Sequence, residues 1–397
     1  PIFTRWAKKS LQDLVDNKSR VPRFPCMIAT RPAIVDRGDY KARGVWVYPF
    51  HMTLREARYA EAITALLMKQ PTFVGWSVRW MEGSDVLLTS LFGDAKCTAF
   101  GCDFSKFDES QHRRRIRQSF SILFDMIDTS LMSIEEADKF VRDWNDIVDY
   151  YINTPMLLGN KIYVKSSGTP SGSYFTQLVD SVYNMLALCD SILRVARAKN
   201  PSVRFADVLE HMLVLGDDSI VQLRAQWGET EKEQLSAFLL TNHNLSWHTT
   251  KGFWRAPMQP LSSMEFLGHY FTGGSGPTRP FTDVLEHALY PERRHTDPGI
   301  KKAAVIGLLY MTAPCQKLSS RWLRDLYDFL NSLYPDDPPG DYPMWMKRAF
   351  KFALMRIPDV SLPSESLLIQ LYQRRTPSVI RPRILWWDDI LEEYVQW

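Results

Sequence analysis

Apolar residues in this chain follow two rhythms, and the switches between them mark out its elements. Leu54, Ala57, Ala60, Ile63 and Leu66-Leu67 recur at helical spacing, which predicts a helix over 53–70. Similar spacing predicts helices over 109–127, 133–152, 174–198 and 229–242. Between these lie short runs rich in Val, Ile, Leu and aromatic residues. Gly44 to Tyr48, Cys97 to Asp103, His211 to Leu215, Ser219 to Gln222 and Phe266 to Gly268 read as strands. Residues 166–173 form a small-residue loop, and Gly273-Gly274-Ser275-Gly276 is a clear break. Beyond it the pattern is mainly helical, interrupted at the Pro-rich stretch Tyr334 to Gly340. Strands and helices mixed in this way predict an α+β fold.

The stretch Leu215-Gly216-Asp217-Asp218-Ser219 sets two carboxylates in a tight turn between two apolar strands. Two like charges about 4 Å apart repel by roughly 4 kcal/mol at an effective dielectric of 20. A divalent cation is the usual remedy. The chain holds two further Asp pairs. Asp336-Asp337 lies in the Pro-rich turn, and Asp388-Asp389 is read as opening a helix, where acids suit the dipole. A Gly-Asp-Asp triplet arises by chance in about one chain in twenty of this length, so its meaning depends on partners.

Two partners are present. In Asp103-Phe104-Ser105-Lys106-Phe107-Asp108 a strand ends at Asp103 and a helix starts past Asp108. Asp103 can sit at a sheet edge beside the hairpin tip and share cations with Asp217, while Asp108 faces an entering substrate. Taken alone, the pair is better read as ordinary strand-end and helix-cap acids. The second partner is Ser167-Gly168-Thr169-Pro170-Ser171-Gly172-Ser173-Tyr174-Phe175-Thr176. Its glycines let backbone approach a ligand closely, and its hydroxyls can donate to sugar or phosphate. The helix that follows places Thr176 and Asp180 on one face, and Asn184 extends it. Taken alone, such a stretch is more often a capped loop.

The length of 397 residues suffices for two or three subdomains on a shared core. The net charge of +3 excludes a global basic field, so any nucleic-acid partner must meet local charge. Cys26, Cys97, Cys102, Cys189 and Cys315 are odd in number and lack zinc-finger spacing; they are expected reduced, as in a cytosolic protein. The apolar run Ala303 to Met311 is among the longest and too short to span a bilayer. The chain begins at Pro1, without Met or a signal-like segment, which suggests a fragment or a processed product.

The order Asp-x4-Asp, then Ser-Gly-x3-Thr, then Gly-Asp-Asp resembles the palm of a viral RNA-dependent RNA polymerase. The segments Lys41-Ala42-Arg43-Gly44-Val45-Trp46-Val47-Tyr48-Pro49, Pro170 to Leu178 and Gly216-Asp217-Asp218-Ser219 resemble the partitivirus-like polymerases of small double-stranded RNA viruses. The resemblance runs from about residue 31 to 275; the C-terminal third matches only in its helical character. It implies a right-hand polymerase. Fingers would take 1–96, N-terminally truncated, and 128–165. The palm, an antiparallel sheet backed by helices, would take 97–127 and 166–275, with a helical thumb over 276–397.

The resemblance also implies the chemistry, a two-metal phosphoryl transfer on ribonucleoside triphosphates along an RNA template. Asp103 and Asp217, with Asp218 nearby, would hold two Mg²⁺, for which Mn²⁺ can substitute. Asp108 would accept from the ribose 2′-hydroxyl, supported by Ser171, Gly172 and Thr176. Asp180 stands where many such polymerases have Asn, leaving its role to be shared with Asn184. Arg31, Arg37, Lys41 and Arg43 resemble the motif lining the nucleotide tunnel, with Lys41 and Arg43 on one strand face. Lys251 would protonate the leaving pyrophosphate. Glu265-Phe266-Leu267-Gly268 resembles the segment supporting the nascent strand; a plain core strand fits it equally. His243 and His248 lack cysteine partners and are read as structural or solvent-facing. Arg113, Arg114, Arg115 and Arg117 spread around their helix and are read as mostly solvated, with contact to RNA as the other reading. The expected partners are RNA template, RNA product, nucleotides and a capsid protein, with no membrane. The expected setting is a virion interior in a host cytoplasm. The competing readings are a reverse transcriptase, whose acidic turn normally lacks the leading glycine, and an inactive polymerase-like RNA-binding scaffold.

Overall fold

A computed structural model describes residues 23–32, 42–68, 72–249, 251–261, 264–273, 275–291, 295–352 and 357–373. Strands β1 (Cys26–Pro32) and β2 (Ala42–Val47) pair antiparallel, with Arg31 directly across from Arg43. β1 also runs parallel to β5 (Pro155–Leu158), which forms a hairpin with β6 (Lys161–Val164). The sheet order is β2-β1-β5-β6. Helix α1 (Phe50–Leu67) starts right after Pro49, earlier than its apolar spacing predicts, because Pro49 takes the extended N-cap position. Helix α2 (Ser84–Phe92) follows two short turns that carry no clear period.

The second sheet gathers strands distant in sequence. β3 (Thr98–Gly101), β7 (Leu209–Leu215), β8 (Asp218–Leu223) and β10 (Phe253–Arg255) lie in the order β10-β3-β8-β7, each pair antiparallel. Both faces are covered, which is why β7 and β8 read as nearly unbroken apolar runs. Phe100, Met212, Val214 and Val221 join one core, and Ala99, Leu213, Ile220 and Phe253 join the other. The first core is built with helices α4 (Arg113–Asp125), α5 (Ile134–Ile152) and α6 (Thr176–Lys199). α5 starts on a capping box between Ser133 and Glu136, and α6 is buried around most of its circumference. The single helix expected over 109–127 is two. α3 (Phe107–Ser110) stops at Gln111, whose backbone is extended, and α4 restarts at Arg113. The short helix α7 (Phe205–Val208) leads into β7, and α8 (Glu229–His243) packs on α6. Two ribbons complete this part, β4 (Phe104–Ser105) with β9 (Ser246–Trp247), and β11 (Glu265–Phe266) with β12 (His269–Tyr270).

Downstream come α9 (Phe281–Leu289), α10 (Pro298–Tyr310), α11 (Lys317–Leu333), α12 (Met344–Phe352) and α13 (Glu365–Tyr372). The apolar run at 303–311 is the buried spine of this bundle, packed with Leu323, Met346, Phe350 and Leu368. Lys302 is fully buried, and its Nζ donates to Asn331 Oδ1 and to the carbonyls of Tyr334 and Asp337. That contact fixes the Pro-rich turn holding Asp336-Asp337; Asp388-Asp389 lies outside the described residues. Among the described residues no helix is long and apolar enough to cross a membrane, and the five cysteines are free thiols.

Glu56 of α1 ties these parts together. It is fully buried and accepts from Ser173 Oγ (2.7 Å) and the Tyr174 amide (2.8 Å), just ahead of α6. Burial pushes its carboxyl up to about 7 against the pull of those bonds. A folded-state value above the ordinary one means that this group's contribution is full below about pH 4.5 and is lost as pH rises towards 7. Glu56→Gln, which keeps an acceptor, is expected to flatten the fall in stability between pH 5 and 8 by roughly 3 kcal/mol or less. Urea unfolding at both pH values measures this; an unchanged slope would exclude Glu56 as its source.

Candidate active site

Leu215 pairs with Asp218, leaving Gly216 and Asp217 as a two-residue turn. The positive φ falls on Gly216 (65°) and not on Asp217, the type II′ pattern that suits twisted hairpins. Asp217 therefore stands at the tip, while Asp218 is the first residue of β8 rather than part of the turn. Phe100 pairs with Val221, and continuing that register sets Asp103 across from Asp218. The Cys102 amide donates to Ser219 Oγ (3.2 Å), holding the two strand ends together. On the other side Phe253 pairs with Gly101, and the same continuation sets Lys251 across from Asp103. Gly252 makes this approach possible: its φ is 70°, and a Cβ there would lie 2.5 Å from the Gly101 carbonyl oxygen. Lys251, Asp103 and Asp218 thus share one row at the sheet's edge, all three exposed, with Asp217 at the adjoining tip.

Burial and like charge both act on Asp218. Its side chain reaches solvent but is walled by protein on most sides. That desolvation, then Asp217, Glu265 and Asp103, pushes its carboxyl up to about 7. All these donors are hard carboxylate oxygens, the set that suits Mg²⁺. Among the described residues no group of three or more His, Cys, Asp or Glu side chains is gathered so as to hold a metal ion. An open set is what Mg²⁺ tolerates, since it binds through one or two carboxylates and takes remaining oxygens from water and substrate.

Helix α6 holds the acidic turn from below. Asn184 is buried, and its Nδ2 donates to the carbonyls of Gly216 (3.0 Å) and Asp217 (2.9 Å). Ser181 Oγ accepts from the Gly216 amide at 2.9 Å, and Gln177 lies against Gly216. Asn184, grouped by spacing with nucleotide-facing residues, therefore spends its amide on the hairpin. Asp180, buried on the same helix, accepts from Gln111 Nε2 at 2.8 Å. Burial first, then Asp108, pushes its carboxyl well above the ordinary range, with Asp217 adding to the effect.

The Ser-Gly loop is pinned to the Asp-x4-Asp segment. The Thr169 amide donates to the Asp108 carbonyl (2.7 Å), and the Gly168 amide to that of Gln111 (2.9 Å). A Cβ on Gly168 would lie 2.4 Å from the Asp108 carbonyl oxygen, and one on Gly172 would lie 1.9 Å from that of Trp46. Ser171, exposed, accepts from the Trp46 amide at 3.2 Å, and Thr176 donates to the Pro170 carbonyl at 2.7 Å. These contacts bring Asp108, Asp180 and Asp217 together and join the loop to β2. Arg31 and Arg43 are placed here by backbone register alone, and Lys41 and Arg37 lie outside the described residues.

The segment 265–268 is not one strand. Glu265-Phe266 is paired, but Leu267 and Gly268 both take positive φ (51° and 67°) and make a type I′ turn to His269. Phe266 is core, and Glu265 joins the acids around Asp218. His243 is buried against Asp190 (2.9 Å), and His248 contacts Ser105, so both histidines serve structure. Gln111, Ser181, Ser219 and Glu56 escape a reading of motifs. The polar spacing Gln177, Ser181, Asn184 along one side of α6 is the signal that could have found two of the turn's supports.

A carboxyl held in its neutral form presents one donor and one acceptor, much as an amide does. Asp180→Asn is therefore expected to leave folding intact and to raise stability relative to wild type as pH climbs above the ordinary aspartate range. The sign follows from a raised folded-state value, whose contribution is full at low pH and lost on titration upward. Urea unfolding from pH 5 to 8 checks this; an Asn variant less stable at pH 8 than at pH 5, relative to wild type, would refute it.

With the geometry established, relatives can be compared. A model of the viral RNA-dependent RNA polymerase family matches residues 35–314. The RNA-directed RNA polymerase of Cryptosporidium parvum virus 1 (strain KSU-1) is 34% identical over 215 residues, covering 54% of this chain and 38% of the relative. That of White clover cryptic virus 1 (isolate Boccardo/2004) is 22% identical over 338 residues, covering 78% and 52%. This chain thus spans about half the length, or less, of these curated relatives. Among solved structures, the crystal structure of the RNA-dependent RNA polymerase of a human picorbirnavirus superposes with a TM-score of 0.61 at 16% identity, covering 89% of this chain and 66% of that one. Its insertion-loop deletion mutant gives 0.59 at 15%, covering 78% and 57%. The chain belongs to the viral RNA-dependent RNA polymerase family and has the right-hand polymerase fold.

Proposed function

We propose that this chain carries the catalytic centre of an RNA-directed RNA polymerase, transferring nucleotides from ribonucleoside triphosphates to an RNA 3′ end. The observation that supports this most directly is the row at the sheet edge, where Asp103 falls in register with Asp218 and Asp217 stands at the tip. Fingers take 1–96 and 128–165, the palm 97–127 and 166–275, and the thumb 276–397. Asp103 and Asp217 would hold the divalent cations, with Asp218 beside them. When bound, two such ions supply Lewis-acid activation of the 3′-hydroxyl and neutralise the leaving phosphates.

The chain's own residues do the rest by position. Asp108, exposed on α3, accepts from the incoming ribose 2′-hydroxyl. Asp180 accepts from Gln111 Nε2 and so ties the bend between α3 and α4 to α6. Arg31, Lys41 and Arg43 meet the triphosphate, and Ser171, Gly172 and Thr176 shape the wall beside the sugar. Lys251, exposed and across from Asp103, donates a proton to the departing pyrophosphate. Glu265 to Gly268 supports the nascent strand through the turn of its hairpin. The chain works with RNA template, RNA product and a surrounding capsid protein, inside a virion in the host cytoplasm.

Mg²⁺- or Mn²⁺-dependent incorporation of labelled nucleotide on an RNA template tests the reading. Asp217→Ala is expected to lower incorporation by roughly a thousandfold or more, several kcal/mol of lost charge stabilisation, while the melting temperature holds or rises. Wild-type rates in that variant, or an inert wild-type chain that still binds RNA, would favour a non-catalytic scaffold instead. Asp108→Ala is expected to cut the preference for ribo- over deoxyribonucleotides by roughly ten- to a hundredfold, the worth of a hydrogen bond to a charged group. An unchanged preference in direct competition would remove that role.

A further inference from the structure

Among the described residues, four arginines are gathered at the start of α4. Spread around a helix in sequence, Arg113, Arg114, Arg115 and Arg117 read as mostly solvated; in the fold they line, with His112, one open groove of about 720 Å³. Arg113, Arg114 and Arg117 are exposed, and Gln118 and Ser121 continue the wall along the helix. Positions 113, 117 and 121 follow the i, i+4 rule, so the stripe runs about 12 Å along one side of α4. Arg115 is the exception. It donates to Gln118 Oε1 (2.8 Å) and lies 3.8 Å from buried Asp190, which anchors α4 to α6. Arg113 donates to the Lys165 carbonyl, fixing that wall to the segment carrying Ser166. Asn242 of α8 closes the other side, and its Nδ2 is buried without a hydrogen-bond partner.

The lining holds no acid, and the exposed imidazole of His112 is its one ring. Three exposed guanidiniums side by side repel one another and favour a polyanion between them; the fork geometry of arginine matches phosphate oxygens. Contacts from arginine to phosphate carry no sequence information, and stacking on a single ring tolerates any base. A narrow positive stripe suits a single strand tracking along it.

We propose that this groove binds the sugar-phosphate backbone of single-stranded RNA, without regard to base sequence. The choice of RNA as ligand rests on the polymerase reading; the site rests on the arginines. The groove begins at His112, four residues beyond Asp108, and includes Ser166, just ahead of the Gly168-Thr169 loop that is pinned to Asp108 and Gln111.

The test measures binding in the Asp217→Ala background, which makes it independent of catalysis. Fluorescence anisotropy would follow labelled oligo(U) and oligo(A) of about twelve nucleotides across a salt series. Arg114→Gln/Arg117→Gln is expected to weaken binding of both oligomers roughly tenfold at low salt and to lower the slope of log K against log salt by about 1.4, two phosphate contacts at 0.7 each. Arg117→Gln alone should lower it by about 0.7, and Arg114→Lys/Arg117→Lys should restore most of the slope, which separates lost charge from lost fold. Unchanged affinity and slope would overturn the proposal, as would a loss confined to one oligomer. So would intact RNA binding with weakened ATP binding by calorimetry, since that assigns the groove to nucleotides. An inert wild-type enzyme whose groove variants still lose RNA would sink the polymerase reading and leave this one standing.

Discussion

Everything at the centre of this molecule answers to one constraint: several carboxylates must be held near each other at the edge of a sheet. Asp103, Asp217 and Asp218 do not neutralise one another, and Glu265 adds to the load. The fold meets this from underneath. The largely buried helix α6 carries Gln177, Ser181 and Asn184 at consecutive turns, and two of these bond to the backbone of the turn itself. Buried polar side chains on such a helix are costly unless satisfied. Here they fix the turn's backbone while leaving its acidic side chains to solvent. The carboxylates are thus placed by groups that do not quench them.

Placement then spreads outward through close backbone contacts. Gly252 lets the β10 end lie against Gly101, Gly168 lets the loop lie against Asp108, and Gly172 lets it lie against Trp46 in β2. Each is a place where a Cβ would collide with a carbonyl oxygen, and backbone yields far less readily than a flexible side chain. Glu56 adds a hydrogen-bonded tie from α1 to the same loop. The first sheet, the loop and the acidic row are therefore positioned relative to one another by short contacts rather than by broad packing alone.

Much of this was legible in the chain, for reasons that can be named. Helices α5, α6 and α8 follow their apolar spacing because one face or more is buried, and the acidic hairpin declares itself through Gly216 between two apolar runs. The break at Gln111 was not legible: nothing in 107–125 interrupts the period, and the bend is set by Asp180 from another helix. Leu267 in a left-handed turn was equally hidden, because leucine rarely takes that conformation and the surrounding hairpin imposes it. Asn184 was found by spacing but its neighbours were not, since α6 is buried nearly all round and period alone cannot say which side meets the turn. The arginines of α4 show the same limit: spacing spread them around a helix, and only the packing of Ser166 and Asn242 opposite them creates a groove.

Charge segregation explains how a chain of net charge +3 can serve a polyanion. At physiological salt, fields fade over about 8 Å, so a ligand responds to the patch it meets and not to the total. An acidic row repels phosphate as strongly as an arginine groove attracts it. In the proposed reaction the row can accept a triphosphate only once cations have reversed its sign, whereas the groove beside Asp108 is ready at all times. Strand held first by arginine would then wait next to a centre that becomes receptive on metal binding. Asp218, pushed up to about 7 by burial first and then by Asp217, Glu265 and Asp103, would follow the same order in terms of protons: a cation bound at the row would displace the proton it retains.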